Sequence, residues 1–136
     1  MKKLAFAALS ALLSTSALAY PDKPITIVVP FAAGGPTDKV ARDFAVALSK
    51  PLNNANVIIE NVGGAGGTLG ANKVAKATND GHTFLLHHIG MATAPGLYRK
   101  MAYDTLNDFE YVGMINDVPM TVVSRPNLPA NNYSEL

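Results

Sequence analysis

Two glycine-rich stretches hold the residues best placed to do chemistry in this chain, and that chemistry is anion binding. The first reads Phe31-Ala32-Ala33-Gly34-Gly35-Pro36-Thr37-Asp38. The second reads Gly63-Gly64-Ala65-Gly66-Gly67-Thr68-Leu69-Gly70. Each follows a strand-like run and opens into a helix-like run. Bare amides at a helix start suit an anion, because unpaired N–H groups and the helix dipole both favour negative charge there. Glycine costs roughly 0.5–1 kcal/mol relative to Ala in a regular element. Loops carrying so many are expected where the backbone must approach something closely, and a small carboxylate is the leading ligand class.

A nucleotide fits less well. The dinucleotide fingerprint needs G-x-G-x-x-G. Gly64 and Gly66 match it, but Leu69 holds the third position and glycine comes one residue late, at Gly70. A phosphate-binding P-loop needs Gly-Lys-Ser/Thr, whereas Gly70 is followed by Ala71-Asn72. A purely structural reading of the second loop, a tight turn packed against its helix, stays open beside ligand contact.

Asp38 falls in the first turn of the first predicted helix, where the dipole favours a carboxylate. Its functional reading is to order the loop amides, or to accept a hydrogen bond from a ligand amine, hydroxyl or bound water. His87 and His88 are adjacent, so on a strand they would point to opposite faces and could not chelate one metal. His88, at the strand's carboxyl end, is either a pocket residue or an ordinary core or surface histidine. His82 precedes that strand. No metal site and no cofactor are expected. Ser49, Ser124 and Ser134 lack a Gly-x-Ser-x-Gly context. Arg42, Arg99 and Arg125 are scattered and read as surface residues. No catalytic constellation emerges, and the chain does not read as an enzyme.

The elements that must position these loops follow from the apolar pattern. Ile25-Thr26-Ile27-Val28-Val29, bounded by Pro24 and Pro30, predicts a strand buried on both faces. Gly35 as N-cap, Pro36 at the first helical position and Asp38 in the first turn predict a helix start. Val40, Phe44, Ala47 and Leu48 predict its buried stripe, and Pro51 with Asn53-Asn54 its end. Val57-Ile58-Ile59 predicts a second strand. A second helix is expected from Thr68 or Leu69 to Ala77, with Leu69, Val74 and Ala77 as its apolar positions. Asn79-Asp80-Gly81 predicts a turn. A third strand is expected over Thr83 to His88. Ile89 to Leu97 reads as loop or as a short helix broken by Pro95. Tyr111 to Ile115 and Met120 to Ser124 predict two more strands, and Tyr133 to Leu136 the start of a helix. This alternation predicts an α/β domain with a mostly parallel sheet. Right-handed crossovers would bring both glycine loops to the carboxyl edge of that sheet, where open α/β sheets bind ligands.

Bulk properties narrow the classes further. Lys2 and Lys3, the apolar run Leu4 to Leu13 and Ala17-Leu18-Ala19 form an export signal, with cleavage expected after Ala19. The apolar run is shorter than the ~20 residues a membrane helix needs. Removal of the leader leaves 117 of the 136 residues and turns the formal net charge from +1 to −1. No basic patch marks a nucleic-acid surface. There is no cysteine, hence no disulfide framework and no thiolate metal site. The remaining length suffices for one domain with a single core.

The ordered set of motifs resembles a known family. Tyr20-Pro21-Asp22-Lys23-Pro24-Ile25, then Val28 through Asp38, looks like the start of the Bug proteins, the extracytoplasmic receptors of tripartite tricarboxylate transporters. The likeness continues through Glu60-Asn61-Val62-Gly63-Gly64-Ala65-Gly66-Gly67 and Asp80-Gly81-His82-Thr83-Phe84-Leu85-Leu86. It runs on through Pro95-Gly96-Leu97-Tyr98 and Tyr103-Asp104 to Asp108-Phe109. The resemblance implies a two-lobed, type II periplasmic-binding-protein fold that closes on a small organic carboxylate and delivers it to membrane permease subunits, without catalysis. It implies a monomer in the periplasm, with residues 20–136 as an incomplete first lobe. Carried over by position, the ligand-binding residues are Phe31, Ala33, Gly34, Gly35, Thr37 and Asp38 from the first loop. The second loop adds Ala65, Gly66 and Gly67, and the end of the third strand adds His88, Gly90 and Met91. Members are more than twice as long, and often carry a polar residue where this chain has Met91-Ala92. Two other readings stay open: an exported sensor that uses the same pocket to present a carboxylate to a sensor kinase, and an exported hydrolase, which would need a nucleophile and base from outside these residues.

Overall fold

The computed structural model describes residues 20–130 and 132–135. The expected signal segment, residues 1–19, and Leu136 at the end of the last expected helix lie outside the described residues.

The centre of the fold is β1 (Ile25–Val29). Its β-branched run disfavours helix and suits a pleated surface packed on both sides. It is followed by α1 (Pro36–Ser49), then β2 (Val57–Asn61), a 3₁₀ turn (Ala65–Gly67) and α2 (Thr68–Ala75). Next come β3 (Thr83–Leu85) and α3 (Gly90–Leu97). A short 3₁₀ turn spans Tyr133–Glu135. The three strands form a sheet in the order β2-β1-β3, and both pairings are parallel.

Register decides which face meets which helix. Ile27 lies beside Ile59 on one side and Phe84 on the other. These residues, with Ile25 and Val29, pack against Ala41 and Ala45 of α1. Val28 points to the opposite face, where it lies beside Leu85. Leu85 packs against Ala71 of α2, Met91 of α3 and Tyr103. Helices therefore cover both faces, and every residue of β1 but the half-buried Thr26 is buried between them. Burying an Ile or Val side chain is worth roughly 1.5–3 kcal/mol, so β1 is the main apolar anchor of the fold.

The expected α/β architecture with a parallel sheet is present, and the boundaries of α1 are as expected, with Gly35 as N-cap and Pro36 at its first position. Asn53 and Asn54 follow it with left-handed backbone. Several expectations are corrected. The buried stripe of α1 runs through Asp38, Ala41 and Ala45, with Val40, Phe44 and Leu48 flanking it and Ala47 exposed. Small residues centre the stripe because the helix lies close to the sheet. In α2 the buried positions are Gly70 and Ala71, while Leu69 is exposed, and the helix ends at Ala75. The third strand stops at Leu85, three residues early. Residues 90–97 form a helix that contains Pro95 rather than breaking at it. Tyr111 to Ile115 and Met120 to Ser124 are not strands. Tyr111, Val112, Met114, Met120, Val122 and Val123 are all exposed there. β-propensity alone makes no strand, since a neighbour must take the backbone hydrogen bonds and one face must be covered. Tyr133–Glu135 forms a 3₁₀ turn.

Candidate functional site

Because β1, β2 and β3 run parallel, their carboxyl ends share one edge of the sheet. Three loops leave that edge: 30–35 after β1, 62–64 after β2 and 86–89 after β3. Each leads into a helix start. The N-cap positions are Gly35, Gly67 and Ile89, and none caps its helix through a side chain. Three helix N-termini thus converge on one edge, each with positive dipole character, and at α3 the Gly90 amide is already taken by the His88 ring and the Met91 amide by the His88 carbonyl. The glycine pattern marks two of them, and at the third the structure selects the helix from the loop-or-helix alternatives that the sequence leaves open.

Asp38 sits at the heart of this edge and is 2% exposed. One carboxylate oxygen accepts the Gly34 amide proton and the Arg42 Nε proton, both at 2.8 Å. The other accepts from Asn61 Nδ2 at 3.0 Å. The Arg42 bond, the Gly34 bond and the Asn61 bond hold the carboxyl down at about 2, against an ordinary 3.8. Asp38 therefore orders the first loop. Its three donors come from the protein.

Asn61 and Arg42 join Asp38 at this edge, Arg42 from the surface position expected of it. Asn61 ends β2, and its amide also donates to the Phe31 carbonyl at 3.2 Å, so one side chain ties the first loop to the second strand. The available signal was its place immediately before the second glycine loop. Arg42 is exposed along much of its side chain yet pairs with Asp38. The Asp–Arg spacing of four on a helix was the signal.

The histidines correct the strand-based reading. β3 ends at Leu85, so residues 86–88 no longer alternate between faces. Both rings meet Phe31. His88 stacks on it at 4.4 Å between ring centres, nearly coplanar at 13°. His87 meets it edge-on at 5.4 Å. The His88 Nδ1 accepts the Gly90 amide proton at 3.0 Å, and the His87 Nδ1 accepts the His88 amide proton at 2.8 Å. Burial pushes His87 below its ordinary 6.5, opposed in part by its hydrogen bond to the His88 backbone. Phe31, His87 and His88 form an aromatic wall linking the first loop to the third. Among the described residues, no group of three or more His, Cys, Asp or Glu could hold a metal.

Of the expected ligand residues, Phe31, Ala33, Gly34, Gly35, Thr37, Ala65, Gly66, Gly67, His88 and Gly90 all lie on the three loops and helix starts of this edge. Asp38 lies beneath it. Met91 is the second residue of α3, but its side chain is buried in the second core cluster with Ala71 and Tyr103. Gly66 has φ +63°, and the Tyr98 hydroxyl lies 2.6 Å from where a Cβ would be. Only glycine fits there without displacement. His82 lies at the opposite edge, buried beside Asp80 and Asp22 and against the Tyr20 ring. It belongs to a clasp on the lead-in segment. There Tyr20 donates to the Gly81 carbonyl at 2.6 Å and Lys23 pairs with Asp80.

Comparison with known proteins agrees with this geometry. Residues 40–136 match the family described as the tripartite tricarboxylate transporter family receptor. A UPF0065 protein of Agrobacterium vitis is 52% identical over 117 residues, covering 86% of this chain and 34% of the relative. The periplasmic binding protein BugD superposes with a TM-score of 0.72 at 49% identity, over 85% of this chain and 38% of BugD. MatC from Rhodopseudomonas palustris, solved with bound malate, gives a TM-score of 0.63 at 46% identity, over 66% of this chain and 31% of MatC. The chain thus spans about a third of the length of the proteins it matches. The family and these structural neighbours are binding receptors, not enzymes. Among the described residues, no helix is long and apolar enough to cross a membrane. By sequence match, parallel-sheet architecture and superposition, the chain belongs to the tripartite tricarboxylate transporter receptor family, which includes the Bug proteins.

Proposed function

We propose that this chain is the first lobe of an exported receptor that binds a small organic carboxylate in the periplasm and delivers it to the permease subunits of a tripartite transporter. The observation that carries the reading is the convergence of three helix starts, none capped by its N-cap side chain, on the carboxyl edge of one parallel sheet. The positive ends of three helix dipoles meet there, and a carboxylate is favoured by them. The buried Asp38 takes the Gly34 amide together with Arg42 and Asn61, and so orders the first loop on which the ligand would sit. Malate bound to MatC supports the ligand class.

In this reading Phe31, Ala33, Gly34, Gly35 and Thr37 hold one side of the ligand. Ala65, Gly66, Gly67, His88 and Gly90 hold the other, and Met91 supports the α3 start from below. The receptor acts as a monomer. A leader ending at Ala19 exports it. A second lobe closes over the edge, since deep burial of a small ligand needs walls on both sides. Native mass spectrometry tests the proposal. The chain is purified without added ligand, then mixed with malate and with a neutral diol of similar size. A compact ion that gains the mass of malate and not of the diol is expected. Equal uptake of both, or of neither by a compact ion, refutes carboxylate binding by this lobe.

A further inference from the structure

The backbone of the second glycine loop is left-handed at three successive residues. Ala65, Gly66 and Gly67 have φ of +47°, +63° and +95°. That conformation is unfavourable for a residue with a Cβ, and it persists only where the surroundings over-determine it. Part of the hold is internal. The Gly67 amide donates to the Gly64 carbonyl at 3.0 Å, and the Thr68 hydroxyl donates to the Ala65 carbonyl at 2.9 Å. The rest comes from α3, which packs alongside the turn.

The space that side chains would fill at the two glycines is taken by groups from other loops. The Tyr98 hydroxyl stands 2.6 Å from the Cβ position of Gly66, with Tyr98 Cζ at 3.5 Å. At Gly67 the corresponding neighbours are His87 Nε2 at 2.8 Å and Phe31 Cζ at 3.2 Å. Tyr98 is the C-cap of α3, and its amide donates to the Ala94 carbonyl at 2.9 Å, which ties the residue to the helix end. At the other end of α3 the Gly90 amide donates to the His88 ring, and that ring stacks on Phe31. The helix is therefore a strut. One end is fixed to the first and third loops, and the other presses Tyr98 onto the second.

We propose that Tyr98 is a positioning residue, whose hydroxyl fills the space beside Gly66 and holds the second glycine loop in the shape that meets the ligand. Its effect on affinity rests on the carboxylate reading of this edge. Its hold on the loop does not.

A size swap tests this. Gly66→Ala puts a methyl group where the Tyr98 oxygen stands. Tyr98→Phe removes that oxygen and leaves Cζ 3.5 Å from the methyl, an ordinary contact. Malate calorimetry and thermal melts compare the full chain, the two single variants and the double variant. Overpacking at Gly66→Ala should weaken malate binding by about tenfold. The double variant should regain at least about threefold of that, as interacting positions are non-additive. It stays short of the unsubstituted chain, because φ +63° still disfavours alanine. Gly67→Ala is the control, since its methyl meets His87 and Phe31, and Tyr98→Phe should leave its affinity unrestored. Recovery of both affinity and Tm in the double variant supports the positioning role. Losses that simply add, or a Tm that recovers while affinity does not, overturn it. If the unsubstituted chain binds no malate, the carboxylate reading fails separately. The melts then decide the hold on the loop: recovery supports it, and additive losses overturn it.

Discussion

Gly70→Ala and Gly96→Ala make a matched pair, since both glycines lie in helices and the same methyl is added. Ala is the better helix former by about 1 kcal/mol, so propensity alone predicts that both variants gain stability. At Gly96, nothing lies within 4 Å of the added Cβ, and the variant should gain about 0.5–1 kcal/mol. At Gly70, the new Cβ would stand 2.7 Å from Pro30 Cβ, 2.8 Å from the Val62 carbonyl oxygen and 2.9 Å from Pro30 Cα. None of these is the end of a flexible side chain, so α2 must move away from the sheet edge. Overpacking of this kind costs about 1–3 kcal/mol, which exceeds the propensity gain. The expected net loss is about 1 kcal/mol, or a Tm lower by roughly 4–8 °C for a domain of this size. Thermal melts followed by far-ultraviolet circular dichroism read both variants. If Gly70→Ala melts as high as Gly96→Ala, the close approach of α2 to Pro30 and Val62 is wrong, and with it the seating of the second glycine loop.

Four other outcomes are expected. Ile27→Ala should lose about 2–5 kcal/mol in urea unfolding, because Ile27 is 2% exposed on the central strand. Asp38→Asn should flatten the acid end of the stability profile. The Asp38 carboxyl sits at about 2 against 3.8 unfolded, so its contribution is present above 3.8 and lost as pH falls towards 2. Tm measured across that window checks it. His87 titrates below 6.5, so the folded state resists its protonation and stability falls as pH drops below 6.5. His87→Gln should lose part of that fall, and an unchanged slope would refute the assignment. Gly66→Val should weaken malate binding in titration calorimetry while the fold persists, because the side chain would displace Tyr98 and φ +63° disfavours a β-branched residue.

Local chemistry determined the elements of this protein. The Ile25–Val29 run could only be a doubly buried strand, and Gly35-Pro36 with Asp38 marks a helix start whatever surrounds it. Alternating strands and helices of that spacing require parallel pairing, so the meeting of both glycine loops on one edge was legible before any coordinates. Tertiary structure decided what depends on partners distant in sequence. Asn61 could not be matched to Asp38, 23 residues away, until β1 and β2 were in register. His87 and His88 could not be placed on one ring until β3 was seen to end at Leu85. Tyr111 to Ser124 has the composition of strands, but a strand exists only where another takes its hydrogen bonds, and residues 111–124 stand exposed. Propensity and capping act over a few residues and are written in the chain. Register, burial and the satisfaction of polar atoms are properties of pairs that only folding brings together.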